Sequence, residues 1–521
     1  MRPTSSTRLA SPLVAAFTAL TLVSACGGGT PEQQQATAPV GEPQRGGTVT
    51  YSFSGDASNL DAARCGTGDW LACSAIYGTL LNYNAADQKF EPGMAESFET
   101  EDGRTWTLKL RQNVKFTDGT AFDAEAVKFN WERAADPKNL SPGALVAKSM
   151  TLTVVDPLTL RAELKEPNFQ LRWALQGELA MIGSPAAIQQ KGPDFANEPV
   201  GAGPFKLQSW ARGSQMILVR NDGYWDQPRP YVDRFVIKVL NADDQRLNAL
   251  RTGEIDVMAT TRGEFGKKGV DAGFQLAELN YILGSGIRMS FTKGDLADPD
   301  IRKAVAHLAD GDQMIKAFYP GETVARTLAP QSSWIYDPEA KLPTHDVAEA
   351  QRLVDGYLAR TGKSEVTIAY KYIGGSAFSD GQAQMIQAML QQAKGVKVEL
   401  VSQDYATWFA DTQRGDYQLQ SFAVSGVNPD QLHNYFFTGA SRNTTGYSNP
   451  AVDTALEKTR TAAEPAAQTE AYKEATRQLA ADAAFQPWYY PVAQLLFPKK
   501  IHGVVPAYTY FMRPDLVWRE S

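Results

Sequence analysis

The chain has 521 residues, of which 43% are hydrophobic and 21% charged, an ordinary globular mixture long enough for two or three domains. Its net charge is −7 with no basic block, which argues against a nucleic-acid reader. Beyond the N-terminal leader, no stretch is long and apolar enough to span a bilayer.

In chain order, the first feature is "LTLVSACGGG" at 20–29. Arg2 and Arg8 precede it, no acidic residue stands before Cys26, and Leu13 to Ala25 is apolar or small. That run is about half of the ~20 apolar residues a membrane span needs, so it reads as an export signal over 1–25. Val23-Ser24-Ala25-Cys26 resembles a bacterial lipobox, which implies lipidation of Cys26 and cleavage before it. An ordinary signal peptide with an incidental cysteine is the alternative. Residues 26–45 read as a flexible tether, with Val40 the one sizeable apolar side chain in "GGGTPEQQQATAPVGEPQR". As a coil of about 19 residues it reaches on the order of 25 Å. The folded part is then expected outside the cytoplasm, lipid-anchored to the outer face of the cell membrane.

Cys65 and Cys73 bracket "GTGDWLA". An even pair in an exported chain reads as a disulfide, with two separate buried thiols as the alternative. From Trp106 the alternation of Trp106, Leu108 and Leu110, repeated by Val114 and Phe116, predicts a pair of strands. "TDG" at 117–119 is a turn, and Asp123 caps a helix with Val127, Trp131 and Ala134 on one face, closed by Asp136-Pro137. Asp298 and Pro299 open a second helix with Ile301, Ala304, Val305 and Leu308 as its stripe. Asp310-Gly311 breaks it and Asp312 starts another. Over 383–426, a helix ending at Lys394-Gly395, "VKVELV", "YATWFADTQRGD" and "YQLQSFAV" predict helix, strand, helix, strand. Strands joined by a helix run parallel, and ligands of such sheets bind at the strands' carboxyl ends. Those ends are Gln403-Asp404-Tyr405 and Phe422–Asn428.

Catalytic signals are few. His307, His345, His433 and His502 form no metal-binding pair, and no cysteine pair has zinc-ligand spacing. "GAGP" at 201–204 lacks the third glycine of a dinucleotide fingerprint, and "GGSAF" has Phe378 where a nucleophile elbow needs glycine. No catalytic residue, metal or cofactor is expected.

"MAESFETEDGRTWTLKLRQNVKFTDGTAFDAEAVKF" closely resembles the signature of bacterial extracellular solute-binding proteins of the peptide/nickel class, family five. "VGAGPFKLQSW", "LVRNDGYWDQPRPYVDRFVIKVL", "RLNALRTGEIDV", "DPDIRKAVAHLADGDQMIKA", "NTTGYSNPAVDTAL" and "QPWYYPVAQLLF" follow in the family's order, so the likeness covers Gly46 to the end. The resemblance implies a two-lobed α/β fold of the periplasmic-binding-protein kind, with mixed sheets, a hinge and an inserted subdomain. Lobe I is expected over 46–85, 195–287 and 487–521, the insert over 86–194, and lobe II over 288–486. The crossings fall near Gly286 and Gln486. It further implies a monomeric, non-enzymatic receptor that closes on a small molecule or peptide and passes it to the membrane permease of an ABC importer.

Peptide receptors of this family carry an aspartate in a "GWxAD" stretch that pairs with the peptide's free amine. The matching stretch is "QSFAVSGVNPD", with Phe422 at the tryptophan and Ser425 at the aspartate. A hydroxyl supplies far less than the carboxylate a buried ammonium needs. No Arg or Lys stands between Gly415 and Ser441. A non-peptide or modified-peptide ligand is therefore expected; the alternatives are an ordinary oligopeptide, with Asp430 as the replacement carboxylate, and a surface enzyme reusing the fold. Aromatic contacts are expected from Trp70, Tyr405, Trp408 and Phe422, with Tyr51 reaching the cleft by its hydroxyl. Each of the first, third and fourth also fits a purely packed role: Trp70 as a loop anchor, Trp408 in a helix core, Phe422 between strands.

Overall fold

The computed structural model of the protein describes residues 41–520. The export signal, Cys26 and most of the tether lie outside the described residues. The tether's last residue is already fixed: Arg45 donates to Gln227 Oε1 at 2.7 Å and to the Pro228 carbonyl at 2.8 Å.

Three larger sheets, with three two-stranded ones beside them, organise residues 43–520. A seven-stranded mixed sheet runs Gln275–Asn280, Val492–Phe497, Val257–Thr260, Thr48–Phe53, Arg234–Val239, Gln215–Arg220, Phe205–Ala211. Thr48–Phe53 pairs in parallel with both neighbours. A five-stranded sheet runs Val396–Gln403, Val366–Ile373, Leu419–Ala423, Ser285–Met289, Phe485–Tyr489. It is covered on both faces. Ile287, Met289 and Ile368 belong to one apolar core, while Val424, Phe436, Tyr447 and Phe485 belong to another. A four-stranded antiparallel sheet (Ala95–Thr100, Thr105–Leu110, Thr159–Leu164, Met150–Asp156) has its own core around Phe98, Trp106 and Trp131.

The 383–426 segment forms the expected elements, and both its strands run parallel to Val366–Ile373, which lies between them. The 106–116 segment differs from expectation. Thr105–Leu110 pairs with Ala95–Thr100 and Thr159–Leu164, not with 114–116. Val114 and Phe116 are buried, but Phe116 N donates to the Thr120 carbonyl, so the chain turns before a second strand can form. Asp123 caps helix Ala124–Ala135 by accepting from Ala126 N at 2.9 Å. Asp298 and Pro299 open helix Pro299–Leu308. The following helix is capped by Asp310, which accepts from Gln313 N at 3.0 Å, two residues before the expected start.

Strand pairing moves the expected crossings by a few residues. The chain passes between the large sheets at 281–284 and 490–491, because Gly286 and Gln486 lie inside paired strands of the five-stranded sheet. Gly286 lies so close to Gln486 O and Pro487 that no side chain fits. "GAGP" has a similar backbone reason: a Cβ on Gly203 would lie 2.6 Å from Gly78 N, where Gly203 N bonds the Ile76 carbonyl at 2.9 Å.

Cys65 and Cys73 are bonded, with Cα atoms 6.3 Å apart, which decides between the two readings of the pair. Closing so short a loop stabilises by roughly 2–3 kcal/mol through the unfolded chain's lost entropy. Alkylation of the unreduced protein is expected to modify neither cysteine; labelling of either, read by mass spectrometry, would contradict the bridge.

Candidate functional site

The disulfide loop leads into helix Trp70–Tyr77, whose first residue is buried. Trp70 donates its indole N–H to the Gln176 carbonyl at 3.0 Å and stacks on Tyr508, centroids 5.5 Å apart. Tyr508 sits in the loop between the short strands Pro506–Ala507 and Phe511–Met512. Tyr508 and Thr509 both hold left-handed backbone, φ +34° and +56°, a conformation that costs a non-glycine residue of order 1 kcal/mol or more and persists only where packing enforces it. Packing does so here. A Cβ on Gly426 would meet Thr509 Cγ2 at 3.3 Å, and Ile282 N donates to the Gly426 carbonyl. The C-terminal loop is thus wedged between Trp70 and the end of strand Leu419–Ala423.

That wedge brings Trp70 and Ser425 into one neighbourhood. Ser425 is half-buried, and its carbonyl accepts from Gln431 Nε2 at 2.8 Å. Phe422 is packed edge-on against Tyr435 and Phe485, at 5.0 and 5.1 Å, with the Arg288 guanidinium 4.6 Å above its ring. Tyr51 is fully buried, and its hydroxyl donates to the Tyr510 carbonyl at 2.8 Å. Tyr405 and Trp408 stand elsewhere. They follow the edge strand Val396–Gln403, two strand spacings or about 10 Å from Leu419–Ala423. Tyr405 is 63% exposed and stacks with Trp408 and Phe409. The Trp408 indole N–H is buried without a hydrogen-bond partner among the described residues.

A cavity of about 260 Å³ opens between the four-stranded unit and the helices that follow Ser425. Phe169 N donates to the Arg460 carbonyl at 2.8 Å, and Gln170 Nε2 to the Thr459 carbonyl at 3.0 Å, so the two sides touch at its rim. Glu178, Asp430, His433, Arg442 and Arg460 line it. Asp430 is not a free replacement carboxylate: Arg460 grips it with two bonds, at 2.7 and 2.8 Å. His433 stacks on Phe437 at 4.3 Å, and burial beside Arg460 pulls its pKa down to about 4. Burial pushes the Glu178 carboxyl above its usual range, against the pull of Arg442's positive charge. Burial likewise raises the Tyr508 phenol, and Glu178 raises it further.

Glu178, Arg442 and Tyr508 were not singled out by the sequence. Arg442 stands one residue beyond the stretch that holds no Arg or Lys. The aromatic run "AYTYF" at 507–511 was the one available hint of Tyr508. Glu178 had none: its role depends on two units meeting.

Residues 89–446 match the model for "Bacterial extracellular solute-binding proteins, family 5 Middle". The chain is 30% identical over 482 residues to the glutathione-binding protein GsiB of Pectobacterium atrosepticum, covering 85% of this chain and 87% of that one. Among solved structures it resembles the periplasmic binding protein AgaA in complex with agropinic acid, from A. tumefaciens R10 (24% identity, TM-score 0.79, 91% of this chain and 99% of that one). It also resembles DppA of Helicobacter pylori in complex with the peptide STSA (23% identity, TM-score 0.78, 92% and 99%).

Proposed function

The chain belongs to the family 5 bacterial extracellular solute-binding proteins, the substrate-binding components of ABC importers, and on that premise we propose that it captures a non-peptide or modified-peptide solute between its lobes and delivers it unaltered. The carrying observation is the missing amine partner: Ser425 offers a hydroxyl, and Arg460 already occupies Asp430. An ordinary peptide ammonium buried there would stay unpaired. Glutathione and agropinic acid, named for a relative and a structural neighbour, fit this class. The peptide STSA in another neighbour favours the second reading, an ordinary oligopeptide receptor.

Trp70, Phe422 and Ser425 would meet the solute from the two sides of the Tyr508 wedge, with Tyr405 and Trp408 as outer contacts and Tyr51 bracing the wedge from behind through its bond to the Tyr510 carbonyl. Lobe I would comprise 46–85, 195–287 and 487–521, the insert 86–194 and lobe II 288–486, with edges following the strand pairings. Closure shifts only if the solute binds the closed form better than the open one. The protein would act as a monomer, do no chemistry on the solute, and be tethered to the outer face of the membrane through lipid on Cys26. Cys26→Ala is expected to release it into the medium or leave the precursor unprocessed, as fractionation would show; a variant still processed and membrane-bound would remove the anchor.

Native mass spectrometry of protein purified from its own host should show one bound small molecule, recovered intact. Adding it back to stripped protein should shrink the radius of gyration. Turnover of that molecule would replace capture by catalysis, and tight binding of free-amine oligopeptides would favour the second reading.

A further inference from the structure

We propose that Glu178 and Arg442 form a two-ended clamp for a small zwitterion, Glu178 taking its cationic group and Arg442 its carboxylate. This rests on the solute-capture reading and names the solute's charge class. The two side chains reach one cavity of about 260 Å³ from different units of the fold. Glu178 follows helix Arg172–Gln176 on the inserted unit, and Arg442 lies in the loop between helices Gln431–Phe436 and Pro450–Thr461.

Local pairings remove the other charges from consideration. Asp430 and Arg460 neutralise each other through two hydrogen bonds, and His433 is neutral above about pH 4. Burial and the nearby Glu178 raise the Tyr508 phenol above its ordinary range, so it carries no charge at neutral pH. One carboxylate and one guanidinium remain, and neither has an ion-pair partner within 4.0 Å among the described residues.

Charge balance then selects the ligand. Closure around a neutral molecule would leave two desolvated charges without close partners. A ligand of one charge would satisfy one end and strand the other. A zwitterion satisfies both, and its carboxylate suits the planar two-pronged donor of Arg442. The cavity is small for a ligand site, which limits the occupant to the scale of an amino-acid derivative or a very short peptide. The cation would be read from the inserted unit, on the opposite side of the cavity from the segment that carries Ser425. Exclusion of ordinary peptide amines at Ser425 is therefore compatible with a cationic group elsewhere in the solute.

The test is calorimetry on the purified protein with β-alanine, 4-aminobutyrate and 5-aminovalerate, each with one ammonium and one carboxylate, and each also as its N-acetyl and carboxamide forms. At least one zwitterion is expected to bind, with either blocked form at least tenfold weaker. Glu178→Gln should erase the penalty for N-acetylation, and Arg442→Gln the penalty for amidation. The clamp is overturned if no zwitterion in the set binds, or if a blocked form binds as tightly as its parent. It is equally overturned if both variants lower the melting temperature of ligand-free protein and leave selectivity unchanged, since the two residues would then only latch the units to each other. The wild-type comparison decides even if a variant fails to fold. A neutral or singly charged molecule found in the native mass spectrum overturns the clamp and keeps solute capture; no bound molecule and no closure remove both.

Discussion

Trp131→Ala is expected to lower stability by about 3–5 kcal/mol, the usual loss when a buried tryptophan is cut to a methyl group. Trp131 is 1% exposed on the inner face of helix Ala124–Ala135, beside Val127 and Ala134. Its ring meets Phe98 edge-on at 6.3 Å, and its indole N–H donates to the Leu179 carbonyl at 3.1 Å. Truncation opens a cavity in the core of the four-stranded unit and orphans that carbonyl. Trp131→Phe keeps most of the ring and loses the donor, so about 1–2 kcal/mol is expected. Denaturant titration measures both. A loss below 1 kcal/mol for the alanine variant would mean that the core collapses into the gap and that the helix does not depend on this ring. Glu178 immediately precedes Leu179, so the alanine variant should also weaken solute binding, whereas a distant core truncation should not.

Ser425→Asp should weaken binding of the co-purifying solute at least tenfold, about 1.4 kcal/mol or more. The residue is half-buried at the end of the central strand Leu419–Ala423, next to Gly426, which packs against Thr509 of the C-terminal wedge. A carboxylate placed there loses water when the lobes close, and no arginine or lysine stands within its own segment to receive it. Arg460, on the cavity wall, is held by Asp430. The same variant should gain weak affinity for free-amine peptides, whose ammonium would now have a partner. Calorimetry of wild type and variant against the co-purifying solute and a set of short free-amine peptides reads both effects. If wild type already binds those peptides tightly and the variant changes neither affinity, Ser425 is not the anchor position, and the ordinary peptide-receptor reading stands.

What the sequence determined by itself was local chemistry and order. Asp123 and Asp298 announced helix starts because an acceptor side chain satisfies the first free N–H groups whatever packs around it. The helix between "VKVELV" and "YQLQSFAV" pointed to parallel strands, since a tight turn joins only antiparallel neighbours and parallel ones need a longer crossover. Cys65 and Cys73 lie close enough in sequence for their pairing to be legible. Tertiary structure alone decided partners. Alternation showed that Thr105–Leu110 is a strand but not that it sits between Ala95–Thr100 and Thr159–Leu164, because a pattern of period two records which face is buried and not what covers it. Asp430 read as an available carboxylate until Arg460, thirty positions on, was found gripping it. Glu178 and Arg442 are 264 positions apart, and each taken alone is an ordinary surface charge. Only the folding of the inserted unit against the 428–460 segment places them on one cavity, where loss of water makes each charge need a partner.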